Sequence, residues 1–74
     1  MTRNNRTVYF NRMTELWFNK ADYLVEGFLS TTVHQTQKEA LSQARTDIRR
    51  LGGGELSVHA QSTGRIREKN TVRA

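Results

Sequence analysis

One segment of the chain, residues 36–54, contains the signals for both ends of a helix. Thr36 is followed three residues later by Glu39, the spacing of a capping box, in which the threonine hydroxyl accepts a hydrogen bond from a first-turn amide. The glycines at 52–54 end the segment, because glycine readily adopts the left-handed conformation that closes a helix. Between these ends, apolar residues recur at helical spacing: Ala40, Leu41, Ala44, Ile48 and Leu51. The pattern predicts an amphipathic helix over about residues 37–51. The following polar side chains lie off the apolar stripe and are expected to face solvent: Gln43, Arg45, Asp47, Arg49 and Arg50.

Alternating apolar and polar residues on both sides of this helix predict β-strands. The predicted strands cover residues 7–12, 15–20, 27–33, 55–60 and 65–72. In the first strand Val8 and Phe10 share one face. In the second strand Leu16 and Phe18 share one face and Trp17 lies on the other.

The resulting order, β-β-β-α-β-β, predicts an α+β domain in which a small, mostly antiparallel sheet has the helix packed on one face. Residues 1–6 are polar and without periodicity, so we expect a flexible basic arm there, followed by a single α+β domain over residues 7–74. A chain of 74 residues without cysteine has no disulfide to stabilise it. Close packing or self-association must therefore supply the stability of so small a domain.

Several functional classes are not expected from this composition. Neither His34 nor His59 has a serine, cysteine or carboxylate at a spacing typical of a catalytic triad or a zinc site. We therefore expect no enzymatic activity, no metal and no cofactor. No apolar run approaches the roughly 18 residues of a membrane span, and the first residues lack the apolar core of a signal peptide. These features favour a cytoplasmic protein with no membrane partner.

The last two strands carry a predicted row of cations. A three-residue turn at 62–64, with a glycine in its last position, gives a hairpin in which each apolar residue near the turn faces another. The paired residues in this register are Ala60 with Ile66, His59 with Arg67, and Val58 with Glu68. Arg65, Arg67 and Lys69 then share the outer face with His59, at about 7 Å intervals. Two interpretations remain open: a ribbon that contacts nucleic-acid phosphates, or an edge strand whose cations prevent sheet-to-sheet aggregation.

Trp17 suggests a second kind of surface. In a protein this small, aromatic side chains usually belong to the core. If Leu16 and Phe18 face the helix, however, Trp17 faces away from it, and an outward tryptophan indicates an interface. We therefore expect a homodimer or a higher oligomer. Tyr9 and Tyr23 are further candidates for stacking against a base.

The second half of the chain resembles a known family of short prokaryotic domains. The residues that carry the resemblance are 33–40 (VHQTQKEA), 44–45 (AR), 54–59 (GELSVH) and 64–69 (GRIREK). They resemble the DUF2188 family of uncharacterised domains, and the similarity is closest over residues 33–71. The resemblance implies a bacterial origin and a compact sheet with one helix. It implies no activity, because the family has none assigned.

The net charge of +5 favours polyanionic partners. The sequence therefore predicts a small non-catalytic binding domain that contacts nucleic-acid phosphates through its basic hairpin, with DNA and RNA equally open. The alternative is a protein–protein interaction or self-assembling module with no role in nucleic-acid binding.

Overall fold

The structure is a computed structural model that describes residues 5–22 and 31–73. The described residues form one five-stranded sheet and one helix, in the predicted order β-β-β-α-β-β. The elements are β1 (Arg6–Asn11), β2 (Leu16–Ala21), β3 (Thr31–His34), α1 (Gln37–Arg50), β4 (Gly53–His59) and β5 (Ile66–Arg73). The predicted α+β class is confirmed. Residues 1–4 of the predicted arm and residues 27–30 of the predicted third strand lie outside the described residues.

The sheet has the strand order β3-β2-β1-β4-β5, which places β1 at its centre. β2 pairs antiparallel with both β1 and β3, and β4 pairs antiparallel with β5. The two parts are joined by a parallel pairing of β1 with β4. A parallel pairing needs a crossover connection, and α1 lies within it and packs against all five strands. The helix therefore covers one face of the sheet, which we call the helix side; we call the opposite face the open face.

The helix ends where the sequence predicts. The Oγ1 atom of Thr36 accepts a hydrogen bond from the backbone N–H of Glu39 at 3.2 Å, as an N-cap does. After the C-cap residue Leu51, Gly52 adopts a φ of 92°, the left-handed conformation in which a side chain is strained. Three residues of the predicted stripe are fully buried against the sheet: Ala40, Ala44 and Ile48. Within the described residues, no helix is both long and apolar enough to cross a membrane.

Trp17 points to the helix side, so its expected outward orientation is wrong. Residues 12–15 form a four-residue turn in which the backbone N–H of Glu15 donates to the carbonyl oxygen of Asn11 at 2.7 Å. This turn sets Phe10 opposite Trp17, with ring centroids 5.4 Å apart. Trp17 is consequently 7% exposed and belongs to the core, together with Val8, Ala40, Ala44, Ile48, Leu56, Val58 and Val72. Leu16 and Phe18 take the open face instead, because adjacent residues of a strand point to opposite faces.

A buried polar cluster joins the sheet to the helix. Arg6 is 1% exposed, and its Nη1 atom lies 3.4 Å from Oδ2 of Asp47 and donates to Oδ1 of Asn19 at 3.3 Å. Asn19 Nδ2 donates to the same Asp47 oxygen at 3.2 Å and to Oγ1 of Thr32 at 3.0 Å. Gln43, one helical turn before Asp47, donates to the other carboxylate oxygen at 2.9 Å. The cluster thus connects β1, β2 and β3 to α1.

This cluster corrects two expectations from the sequence. Arg6 was expected in the basic arm but is the first residue of β1. Asp47 was expected to face solvent but is 5% exposed. Each residue is held inside by the opposite charge of the other, because burial of an ion is tolerated only with a close partner.

Candidate functional site

The open face of the sheet is formed by alternate residues of each strand, those that point away from α1. The pairing of the strands fixes which of these residues are neighbours. Two rows of different chemistry cross the strands side by side. On the three strands that both rows cross, the two rows lie two residues apart, which corresponds to about 7 Å.

The first row is aromatic and apolar. Tyr9 lies opposite Phe18, and Phe18 lies opposite Val33 on β3. The rings of Tyr9 and Phe18 stack with centroids 5.4 Å apart and an interplanar angle of 29°. Both rings are half-buried, and Val33 is 49% exposed. We call Val33, Phe18 and Tyr9 the aromatic row.

The second row carries two lysines and three hydroxyl side chains. Four successive cross-strand pairs define it: Thr31 with Lys20, Lys20 with Thr7, Thr7 with Ser57, and Ser57 with Lys69. Lys20 and Lys69 are exposed, and three strand spacings separate them, or about 14 Å. We call these five residues the lysine row. Its ammonium and hydroxyl groups are the types that commonly donate to phosphate oxygens.

Acidic and basic groups border the lysine row. The Oγ1 atom of Thr7 donates to Oδ1 of Asp22 at 2.9 Å, just after the end of β2. On β4 and β5, Glu55 lies opposite Thr71, and Arg73 lies opposite Gly53. The open face is therefore of mixed charge at its border, with cations in the lysine row itself.

His59, a predicted site residue, lies on the open face at the end of the aromatic row. It lines the same shallow concavity as Tyr9 and Lys20, and it pairs with Ile66 rather than with Arg67. Its Nδ1 atom lies 2.8 Å from the carbonyl oxygen of Gly64. Since a carbonyl oxygen only accepts, Nδ1 carries the proton in this hydrogen bond and Nε2 is the ring atom turned to other partners.

The predicted row of Arg65, Arg67 and Lys69 is broken by a β-bulge. The predicted pair of Val58 with Glu68 is present, but the register shifts between Val58 and His59. The backbone N–H of Ala60 donates to the carbonyl oxygen of Arg65 at 2.8 Å, so the turn has four residues instead of three. The extra residue of the longer turn is absorbed by the bulge.

The bulge separates the three cations. Lys69 stays in the lysine row, opposite Ser57. Arg67 lines a concavity with Phe10 and Arg12 at the end of the sheet, and its Nη2 atom lies 3.2 Å from Oε1 of Glu68. Arg65 is exposed and precedes β5. Of the predicted basic hairpin, only Lys69 and His59 therefore lie beside the aromatic row.

Two residues of the open-face rows, Lys20 and Phe18, are not identified from the sequence. Lys20 and Phe18 share the open face, but the second strand was assigned the opposite orientation, which turned Phe18 inward. Trp17, the predicted interface residue, is in the core and offers little surface to a partner. Tyr9, predicted as a stacking candidate, does lie on the open face; Tyr23 is outside the described residues.

In the described ranges, no three His, Asp or Glu side chains are grouped so as to hold a metal ion.

The comparisons with known proteins identify a family and no individual relative. No curated protein and no solved structure matches the chain. A family model described as an uncharacterised protein conserved in bacteria matches residues 7–72, which cover both rows of the open face and the buried polar cluster apart from Arg6. The chain belongs to this bacterial family, DUF2188.

Proposed function

We propose that this domain is a non-catalytic nucleic-acid-binding module that binds through the open face of its sheet. The lysine row carries the proposal. It places Lys20 and Lys69 on one line with the hydroxyl side chains of Thr7 and Ser57 between them, and a sugar–phosphate backbone offers a matching line of acceptors. The net charge of +5 adds long-range attraction for a polyanion.

The proposal is tested by titration of labelled DNA and RNA, each about 16 nucleotides long, at a series of salt concentrations. Each phosphate contact is expected to contribute about −0.7 to the slope of log affinity against log salt on a single strand. The double variant Lys20→Gln/Lys69→Gln should therefore flatten the slope by roughly 1.4.

A matched control removes two cations from the opposite side of the molecule. Arg45 and Arg49 are exposed on α1, which covers the helix side, so Arg45→Gln/Arg49→Gln has the same net charge as the lysine variant. This control should flatten the slope much less. Equal flattening by both variants, or no binding by the wild type at low salt, would show that the charge of the open face has no role in nucleic-acid recognition.

A self-assembling module is the second candidate, and one observation favours it. Val33 and Ile66 are 49% and 51% exposed, at opposite edges of the open face. Two copies packed through this face would cover both side chains together with the aromatic row.

The cytoplasm is the compartment we propose for either function.

Pairing of two β5 edges is a less favourable route to a dimer. Residues paired across a two-fold axis must share a face, so the axis passes through a residue, and the longest pairing of two β5 strands places it at Lys69, Asn70 or Thr71. These registers set Lys69 against Lys69, Arg67 against Arg73, or Lys69 against Arg73, and like charges directly opposite are destabilising.

Light scattering on the wild type and on Val33→Asp tests the face-to-face dimer: a dimer that dissociates in the variant supports it, and a monomeric wild type excludes it.

A further inference from the structure

The two rows of the open face differ in chemistry, and together they indicate which form of nucleic acid fits. In a nucleotide the base and the phosphate lie on opposite sides of the sugar. A strand lying across the sheet, perpendicular to the β-strands, therefore brings its bases over one row and its phosphates over the other. The aromatic row and the lysine row run in this direction and lie side by side.

We infer that the ligand is an unpaired, single-stranded segment whose bases stack on Tyr9 and Phe18 while its phosphates contact Lys20 and Lys69. This inference rests on the proposed function and specifies its substrate class. The aromatic rings decide between single strand and duplex, because the base faces of a duplex are hidden in its own stack and only an unpaired base is free to lie on a ring.

The spacing of the lysines sets the size of the segment. The distance of about 14 Å between Lys20 and Lys69 equals about four rises of a stacked strand at 3.4 Å each, and fewer steps of an extended one. The open face therefore accommodates a segment of about two to four nucleotides. Binding at this site is expected to be tolerant of sequence, because every base has a face that stacks.

His59 lies where the segment meets the β4–β5 turn. Its ring borders the same concavity as Tyr9, Lys20 and Thr7, and its Nδ1 atom is engaged with the Gly64 carbonyl. Nε2 is thus the ring nitrogen available to a ligand, and the place of the ring in this concavity suits contact with a base edge or a sugar hydroxyl.

The inference is tested with three ligands of equal length: a single strand, the same sequence as a duplex, and a single strand in which the central bases are replaced by abasic sites. The wild type should bind the single strand at least about fivefold more tightly than the abasic strand, the least that one stacked base contributes. It should also prefer the single strand to the duplex. These comparisons need no variant and hold even if a substituted protein fails to fold.

A pair of neighbouring substitutions separates stacking from charge. Tyr9→Leu removes a ring from the open face, whereas Phe10→Leu removes one from the helix side. Tyr9→Leu should weaken single-strand binding about fivefold or more, reduce the discrimination against abasic sites to the part that Phe18 supplies, and leave the salt slope unchanged. Phe10→Leu, with its fold checked by circular dichroism, should change none of these.

The possible outcomes distinguish this inference from the proposed function. Duplex binding equal to or tighter than single-strand binding, or equal affinity for the abasic strand, would overturn the stacking mode and leave a phosphate-binding face in place. The absence of binding to all three ligands at low salt would overturn both.

Discussion

Asp47 offers a sharp test of how this small domain is held together. The substitution Asp47→Ala removes the carboxylate that lies 3.4 Å from the guanidinium of Arg6 and accepts from Asn19 and Gln43. Loss of one partner from a buried ion pair typically costs 3–5 kcal/mol; we expect about 3, since Arg6 keeps its hydrogen bond to Asn19. A domain of this length has a free energy of unfolding of roughly 4–11 kcal/mol. The expected loss is therefore a large share of the total, equivalent to a fall in Tm of roughly 12–24 °C.

The assay is urea denaturation followed by Trp17 fluorescence and by circular dichroism. Arg45→Ala serves as the control, because Arg45 is exposed on the same helix and should change the free energy of unfolding by no more than about 0.5 kcal/mol. The double variant Arg6→Met/Asp47→Leu should be more stable than Asp47→Ala, because it removes both buried charges instead of one. An Asp47→Ala loss no greater than that of the Arg45→Ala control would refute the view that this cluster joins the helix to the sheet.

Three further predictions concern the packing and the turns. Ile48→Ala should lower the free energy of unfolding by about 2–5 kcal/mol in a denaturation experiment, because the side chain is fully buried; an unchanged midpoint would contradict this. Gly52→Ala should cost about 1 kcal/mol by thermal unfolding, from backbone strain at a φ of 92° and without any steric contact, since no atom lies within 4 Å of the added Cβ. Trp17 should emit at short wavelength in the native protein and shift to longer wavelength in urea; emission typical of a solvated indole before unfolding would contradict its place in the core.

The helix and the strands were predictable because their signals are local. Thr36 and Glu39 specify one helix end and Gly52 the other, and each acts on backbone groups within a few residues. The orientation of β2 was not predictable in the same way. Leu16, Trp17 and Phe18 are all apolar, so alternation within β2 does not distinguish the two faces, and only the pairing with β1, which sets Trp17 opposite Phe10, decides between them.

Asp47 was missed although the sequence contains a signal for its burial. It stands seven residues after Ala40 and three after Ala44, so it lies on the same face as Ile48 by helical spacing. A carboxylate at such a position indicates a cation across the interface, and Arg6 meets it there. Which cation this is could not be read from the sequence, because the pairing of β1 beside α1 depends on the strand order.

The candidate site was predicted only in part. Net charge and the position of Lys69 were available from the sequence, but the lysine row depends on four pairs between the five strands. The row of cations predicted on β5 alone, Arg65, Arg67 and Lys69, does not form, because a β-bulge of one residue changes the face of every residue beyond it.

The parallel pairing at the centre of the sheet also has a consequence for how the protein folds. Arg6 lies beside Leu56, so the contact that joins the two parts of the sheet closes a loop of about 50 residues. The β1–β2 hairpin and the helix form from short-range contacts, but Leu56 and Val58 join their core only when β4 pairs with β1. Folding of this chain is therefore expected to be slower than that of a helical domain of equal length, with its rate set by the late step that brings β4 beside β1.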